Sequence, residues 1–589
     1  MSYRAPVNEL LFSLHTHGNL ADIIQWYAES GIDEDTAAAI IEEAAKFSEE
    51  VFLPTSRTGD LHGARLENGK VVTHPDLAAA YQAFCEAGWA GLRAPAEYGG
   101  QGLPAILSAV CEEMYYCGNL ALSLMPMLTV GAVETIACHG SEEQKQTFLP
   151  KMSQGLWSGT MNLTEPQAGT DLAQVATKAV PQEDGSYRIS GQKTFITWGE
   201  HELAENIIHL VLARLPGTTS GIKSLSLFIV PKYKVNPDGS LGARNSVHAT
   251  ALEHKMGIHA SPTCVMQFDE AEGYLIGKAG RGLLYMFTMM SHARLGVGIE
   301  GHAVAEAAYQ LALAYAHERI QGSAPDGSPL AIIHHPDVAR MLIQQKATLA
   351  AQRALYIQAA AALDASHQHP DPAGKKAARS RLDYLIPIVK AWCSDNGTVL
   401  SNLAMQVFGG AGYIEETGVA QLVRDVRITA IYEGTNGVQA ADLARKTVAD
   451  KGALVRSLLA EAQQTANELA AIEPSAAEPL NRALALAERS VASLLQQHEA
   501  NHAATAVHAD AFLNQTALTL GAAALAKNFL AARSPESEAR FGSEFCQAQQ
   551  HIARAYLAYV LPQAYACAER IGGSAETLLA VPLTALASS

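Results

Sequence analysis

The chain has 589 residues, 48 % hydrophobic and 17 % charged, which gives it ample apolar surface for large cores and excludes intrinsic disorder. A formal net charge of −17 argues against nucleic acid or anionic membrane as a partner, because acidic and basic residues are interspersed and no basic run appears in the tail. The eight cysteines form no C-x-x-C pair, so zinc ribbons and thioredoxin-like motifs have no support and reduced thiols are expected.

The opening MSYRAPVNELLFSLHTHGNL lacks a signal-peptide layout. No uninterrupted apolar stretch near the ~18 residues of a membrane span is found. A cytoplasmic protein with no transmembrane segment is expected, with residues 1–34 as an N-terminal extension. Residues 35–155 have a helical pattern. DEDTAAAIIEEAAKFSEEV and PDLAAAYQAFCEAGW carry apolar residues at three- and four-residue spacing, and the Gly/Pro loop APAEYGGQGLP follows.

Near residue 156 the texture changes. SYRISGQKTFIT, NIIHLVLARL, SLSLFIVPKY and TCVMQFD are short β-branched and aromatic runs separated by turn signals, which predicts an antiparallel β domain over 156–275. Helical spacing returns over 276–445 and continues over 446–589. There Leu454, Leu458, Ala462 and Leu469 share one face, as do Leu480, Leu484, Ala487, Val491 and Leu494. Those stripes need cover from each other, from the body or from a second subunit. Strand and helix do not alternate, so the fold class is α+β and mostly α, not a doubly wound sheet.

Several short motifs interrupt this pattern. GVGIEG (296–301) matches the dinucleotide fingerprint, but a helical pattern surrounds it, and small residues for close helix packing are the better reading. In MNLTEPQAGTD (161–171) an extended run enters a tight turn that suits either a phosphate or flavin edge or a plain connection between strands. In GQKTFITWG (191–199) Phe195 and Trp198 suit either stacking on a planar ring or the β core. Gln406 and FGGAGY (408–413) allow close backbone approach or a helix–helix turn. Arg319 closes a long helix, either as a cap or as a ligand for pyrophosphate. His15, His17, His334 and His335 have no partners at metal-ligand spacing, so no metal is expected. IYEGTNGVQ (431–439) places Glu433 before a glycine turn.

In this order MNLTEPQAGTD, GQKTFIT, HKMGIHASPTC, RLGVGIEG, YAHERIQG, QVFGGAGYI, RDVRI and IYEGTNG resemble the signatures of the acyl-CoA dehydrogenase family over residues 35–445. The opening, the length and the helical tail look most like its long bacterial branch, which includes 3-methylmercaptopropionyl-CoA and fatty acyl-CoA dehydrogenases. The resemblance implies an N-terminal helical domain, a middle antiparallel β-barrel, a four-helix bundle and an extra C-terminal helical domain, with FAD between barrel and bundle. It implies that Met161, Leu163 and Thr164 lie on the flavin, with Gly169 and Thr170 near the phosphates or the bound CoA. Phe195, Ile196 and Thr197 would line the other side of the ring. Arg319 and Gln321 would hold the pyrophosphate region. Gln406, Gly409 and Gly410 would reach the cofactor of a neighbouring subunit, which implies a homo-oligomer, here a dimer. Thr435, Asn436 and Gly437 would touch the flavin beside the base. Phe195 stands where the family usually has tryptophan, and Gln321-Gly322 departs from its usual Thr-Phe.

The reaction implied is α,β-desaturation of an acyl-CoA thioester. Glu433 removes the α proton, flavin N5 takes the β hydride, and electron-transfer flavoprotein is the acceptor. The Glu433 N–H and a ribityl hydroxyl would stabilise the enolate oxygen, and an apolar setting would raise the basicity of Glu433. Gly434 would make room for the thioester. Some members carry the base one residue before the arginine matched by Arg294. Here that residue is Ala293, so Glu433 is the only carboxylate at either position, and Arg294 orders the pocket. An acyl-CoA oxidase using oxygen and a DNA-associated flavoprotein of the same superfamily are the alternatives.

Overall fold

The computed structural model describes residues 3–218 and 221–586. The N-terminal third is helical: α1 (Val7–His17), α2 (Leu20–Trp26), α3 (Glu34–Phe47), α4 (Leu53–His62), α5 (Pro75–Glu86), α6 (Ala105–His139) and α7 (Glu142–Ser153), with a small hairpin of β1 (Arg65–Glu67) and β2 (Lys70–Val72). The middle region holds β3 (Trp157–Asn162), β4 (Lys178–Pro181), β5 (Tyr187–Thr197), β6 (Asn206–Arg214), β7 (Leu225–Pro231), β8 (Tyr233–Val235), β9 (Leu241–Arg244), β10 (Val247–Leu252) and β11 (Thr263–Ile276). Long helices follow: α8 (Gly282–Glu318), α9 (Pro336–Gln368), α10 (Pro372–Phe408), α11 (Val419–Val426), α12 (Asn436–Ala449), α13 (Ala453–Ile472), α14 (Pro474–Ala500) and α15 (His502–Ala531). The hairpin β12 (Ile320–Ser323) and β13 (Pro329–Ala331) separates α8 from α9.

The chain divides into two compact units. One takes residues 29–32 and 42–296. The other takes the chain up to residue 28, residues 33–41 and everything from 297 onward.

In the first unit, β3–β7, β10 and β11 form a seven-stranded sheet. Its pairings run in a ring through β5, β4, β6, β7 and back through β11. Most are antiparallel, as the turn-separated runs predict. β3 and a single residue pair of β4 instead run parallel to β6, because crossovers rather than tight turns join them. Ile189, Val211, Phe228, Val230, Met266 and Phe268 fill the interior at essentially zero exposure. Among the described residues α6 is long and apolar enough to cross a bilayer, which corrects the expectation that no such stretch exists. It is a core helix: 78 % of its apolar window is buried, and it breaks at Asn119, whose side chain caps the second half at Leu122 N–H and donates to Thr55.

In the second unit the N-terminal extension is itself helical. Glu9 of α1 is bridged by Lys346 and Arg353 of α9, and Arg353 also meets the buried Glu306 of α8 at 3.1 Å. α15 packs against α9, α10, α12, α13 and α14. The stripe residues Leu458, Ala462, Leu469, Leu480, Leu484, Val491 and Leu494 are buried within this one chain. Gly298 and Gly301 of GVGIEG lie inside α8 and let α10 close in: a Cβ on Gly301 would stand 2.6 Å from Ser394 Cα.

Candidate active site

In the first unit the end of β3 runs on beside β5. Thr160 Oγ1 donates to the Thr197 carbonyl at 2.7 Å, and Thr194 N–H donates to the Thr164 carbonyl at 2.9 Å. This brings Met161, Leu163 and Thr164 together with Phe195, Ile196 and Thr197. β5 carries an extra residue against β11 between Lys193 and Ile196, and within that bulge Phe195 has φ +60. The bulge turns the Phe195 ring outward, 63 % exposed, while Ile196 points the other way into the sheet core. Only the main chain of Ile196 therefore shares the open side with Phe195 and Thr197. Trp198 is fully buried and donates its indole N–H to the Ala121 carbonyl of α6 at 3.0 Å, so of the two aromatics it is the one that serves the core.

The turn after Thr164 is held from inside. Glu165 N–H and carbonyl both pair with Ala168, and the buried Glu165 carboxylate accepts from Ala176 N–H, Thr177 N–H, Thr177 Oγ1 and Lys193 Nζ. Lys193 also donates to the Leu163 carbonyl at 3.0 Å. Burial pushes the Glu165 carboxyl up, but the Lys193 charge and these donors outweigh it and hold the group below its ordinary value. Gly191 permits the approach, since a Cβ there would sit 2.9 Å from Thr177 Cα. Gly169 and Thr170 are left exposed, with open space around Gly169. Sequence reasoning passed over Glu165 and Lys193; the available signal was a lysine inside a strand on the same side as apolar neighbours. Arg294 lies half-buried in α8 beside the buried Ala293.

In the second unit Glu433 is half-buried and holds the left-handed conformation at φ +56, with Gly434 at φ +82. Such a backbone costs a non-glycine residue about 1–3 kcal/mol and persists only where its surroundings enforce it. They do so from three sides. Tyr432 donates its hydroxyl to the buried Glu300 of α8. Gln439 Nε2 donates to the carbonyls of Glu433 and Gly434, at 3.2 and 3.4 Å. Asn436 accepts from Lys390 Nζ at 2.8 Å and donates to Asp395 at 2.7 Å, which ties the start of α12 to α10. The Asn436 side chain is thus committed to α10, while Thr435 and Gly437 on either side are exposed.

Arg319 and Gln321 lie together at the exposed start of the β12 hairpin, 3.3 Å apart through Arg319 Nη2 and Gln321 Oε1. Gln406 in the last turn of α10 and Gly409 and Gly410 just beyond it form an exposed corner, with open space at both glycines. Phe408 beneath them stacks on Tyr315 at 4.2 Å.

Family models for the acyl-CoA dehydrogenase N-terminal, middle and C-terminal domains match residues 34–156, 160–271 and 280–448. An acetyl-CoA dehydrogenase C-terminal-like model matches 447–582. A 3-methylmercaptopropionyl-CoA dehydrogenase of Ruegeria pomeroyi is 46 % identical over 475 residues, 80 % of each chain. A butyryl-CoA dehydrogenase of Syntrophomonas wolfei is 39 % identical over 447 residues, 73 % of each. An acyl-CoA dehydrogenase from Bacillus anthracis, solved in complex with FAD, has the same fold, with a TM-score of 0.75 at 21 % identity, covering 93 % of this chain and 89 % of that one.

Proposed function

The chain belongs to the acyl-CoA dehydrogenase family of oxidoreductases, and from that membership we propose that it desaturates an acyl-CoA thioester between its α and β carbons with Glu433 as the base. The observation that carries the assignment is the enforced left-handed backbone of Glu433, a strained carboxylate at the family's base position. Ala293, buried and without a proton-accepting group, leaves the other family position empty of a base.

The exposed surfaces fit FAD. Phe195 presents a flat apolar ring beside the main chain of residues 196–197, and Gly169 leaves room for a close approach by phosphate. Arg319 and Gln321 offer donors for a pyrophosphate. FAD, when bound, supplies the acceptor for the β hydride. Glu433 takes the α proton, and its own N–H stabilises the negative charge that grows on the thioester oxygen. Gly434, lacking Cβ, lets the thioester lie against the backbone. Arg294 orders the pocket. Electron-transfer flavoprotein is the proposed acceptor of the electrons. The open corner at Gln406, Gly409 and Gly410, with Tyr413 85 % exposed beside it, is the proposed contact with a second subunit in a homodimer. The named activities of the two relatives favour a short acyl chain as substrate.

The test is anaerobic mixing of the flavin-loaded protein with a series of acyl-CoA thioesters while the flavin absorbance is followed. Glu433→Gln should stay yellow and folded and lose bleaching by every thioester. Undiminished bleaching in that variant rejects Glu433 as the base, and no bleaching of the unaltered protein by any thioester rejects the activity.

A further inference from the structure

Gly298 and Gly301 of GVGIEG serve packing, but close packing does not explain the acidic residue between them. Glu300 lies inside α8 with no exposed surface. Burying a carboxyl group is unfavourable unless hydrogen-bond partners meet it. A partner that meets it is the Tyr432 hydroxyl, and Tyr432 immediately precedes Glu433 in the chain.

The stretch of α8 that carries Glu300 is clamped on both sides. A Cβ on Gly298 would stand 2.8 Å from the Val389 carbonyl oxygen, and one on Gly301 2.9 Å from the Cys393 carbonyl oxygen, so this stretch lies directly against the backbone of α10. The same part of α10 carries Lys390 and Asp395, which hold Asn436. One helix seam therefore anchors the residue before Glu433 and the start of α12 behind it. Tyr432 is fixed at its main chain as well, since its N–H donates to the Ile428 carbonyl at 3.2 Å. With its N–H and its ring hydroxyl both held, the peptide that joins Tyr432 to Glu433 keeps one orientation. The Glu433 N–H belongs to that peptide. Gln439 instead holds the carbonyls of Glu433 and Gly434, so the two contacts govern different peptides.

We propose that Glu300 is a positioning residue for proton abstraction: as acceptor for the Tyr432 hydroxyl it fixes the direction of the Glu433 N–H, the donor to the enolate oxygen. The proposal rests on the reading of Glu433 as the base. In that step the α proton passes to the Glu433 carboxylate and the C–H electron pair delocalises onto the thioester oxygen. A donor to such an oxygen acts only when aimed at the place where charge develops, and removing one costs about 100- to 1,000-fold. A donor that is present but free to turn keeps part of that effect.

Deuterium exchange isolates this step. The thioester 3-thiahexanoyl-CoA has acidic α hydrogens and sulfur in place of the β carbon, so it can lose a proton but no hydride. Its exchange in heavy water with the flavin-loaded protein is followed by NMR, and its dissociation constant by calorimetry. Tyr432→Phe and Glu300→Leu should each slow exchange by about tenfold or more while the dissociation constant moves by less than about threefold. Glu300→Gln retains an acceptor oxygen and should recover exchange to within about threefold of the unaltered protein. Tyr432→Phe combined with Glu300→Leu should be no slower than either alone, because the two groups act as one unit. If Glu300→Leu does not fold, Tyr432→Phe and Glu300→Gln decide. Undiminished exchange in Tyr432→Phe, exchange in Glu300→Gln as slow as in Tyr432→Phe, or affinity lost in step with the rate overturns the proposal. Those results leave the base assignment standing, whereas undiminished exchange in Glu433→Gln rejects that assignment and the role of Glu300 with it.

Discussion

The Glu165 carboxylate and the Lys193 ammonium meet at 2.8 Å with only 4 % and 0 % of their side chains exposed. Through this pair the turn after Thr164 is fastened to the bulged strand that exposes Phe195. The loop and the strand are therefore one rigid piece, although 28 residues separate the two partners in sequence.

Removing one partner leaves the other buried without its counter-charge. Lys193→Met is expected to destabilise the first unit by about 3–5 kcal/mol, and Glu165→Gln by a similar amount. The double variant should recover part of the loss, because neither charge is then stranded. Denaturant unfolding measures the stability and the 450 nm absorbance of purified protein measures retained flavin. Additive losses in the double variant would show that the two groups act independently.

The same pair sets an acid limit. Glu165 sits below its ordinary value of 4.5 in the folded chain, so its stabilisation is complete above that value and is lost as pH falls through the lower folded one. The melting temperature should therefore drop on acidification below about pH 4.5, more gently in Glu165→Gln than in the unaltered protein. Equal slopes in the two proteins would remove Glu165 from the acid transition.

Asn436 and Lys390 are expected to govern the rate rather than the fold. Their 2.8 Å hydrogen bond fixes the start of α12, three residues beyond Glu433. Asn436→Ala frees the base loop, and a misplacement of about 1 Å at a reacting group costs on the order of 100-fold. The rate of anaerobic flavin reduction should fall by one to two decades with flavin content unchanged. Loss of flavin with no change in the rate of the loaded fraction would make Asn436 a cofactor contact instead.

The helical and strand regions were legible because their spacing repeats locally, and the apolar stripes of α13 and α14 marked their buried faces. What covers those faces was not legible, since α15 meets them through tertiary packing that no local pattern encodes. Glu433 could be singled out by motif, but its left-handed backbone is imposed by Glu300, Asn436 and Gln439, of which only Asn436 stood out in sequence. Phe195 and Trp198 read alike as aromatics three apart. Only the bulge in β5, which depends on the register with β11, separates an exposed ring from a core anchor.

The small residues of GVGIEG give the clearest stability test, because helix propensity and packing oppose each other there. Gly301→Ala inside α8 gains about 1 kcal/mol of helix propensity. The new Cβ would stand 2.6 Å from Ser394 Cα and 2.9 Å from the Cys393 carbonyl, both backbone atoms of α10 that no side-chain rotation can move. Gly397 on the facing helix is equally confined, 2.5 Å from the Gly301 carbonyl once a Cβ is added. Overpacking of this kind typically costs about 1–3 kcal/mol, and more where the obstacle is backbone. Gly301→Ala is therefore expected to be destabilising despite its better propensity, by about 2 kcal/mol in denaturant unfolding. Gly572→Ala, at a helical position where a Cβ meets nothing within 4 Å and which lies outside the proposed subunit contact, should not lower stability and serves as the control. A stabilised Gly301→Ala would mean that α8 and α10 can separate freely, and close packing would then no longer account for this glycine.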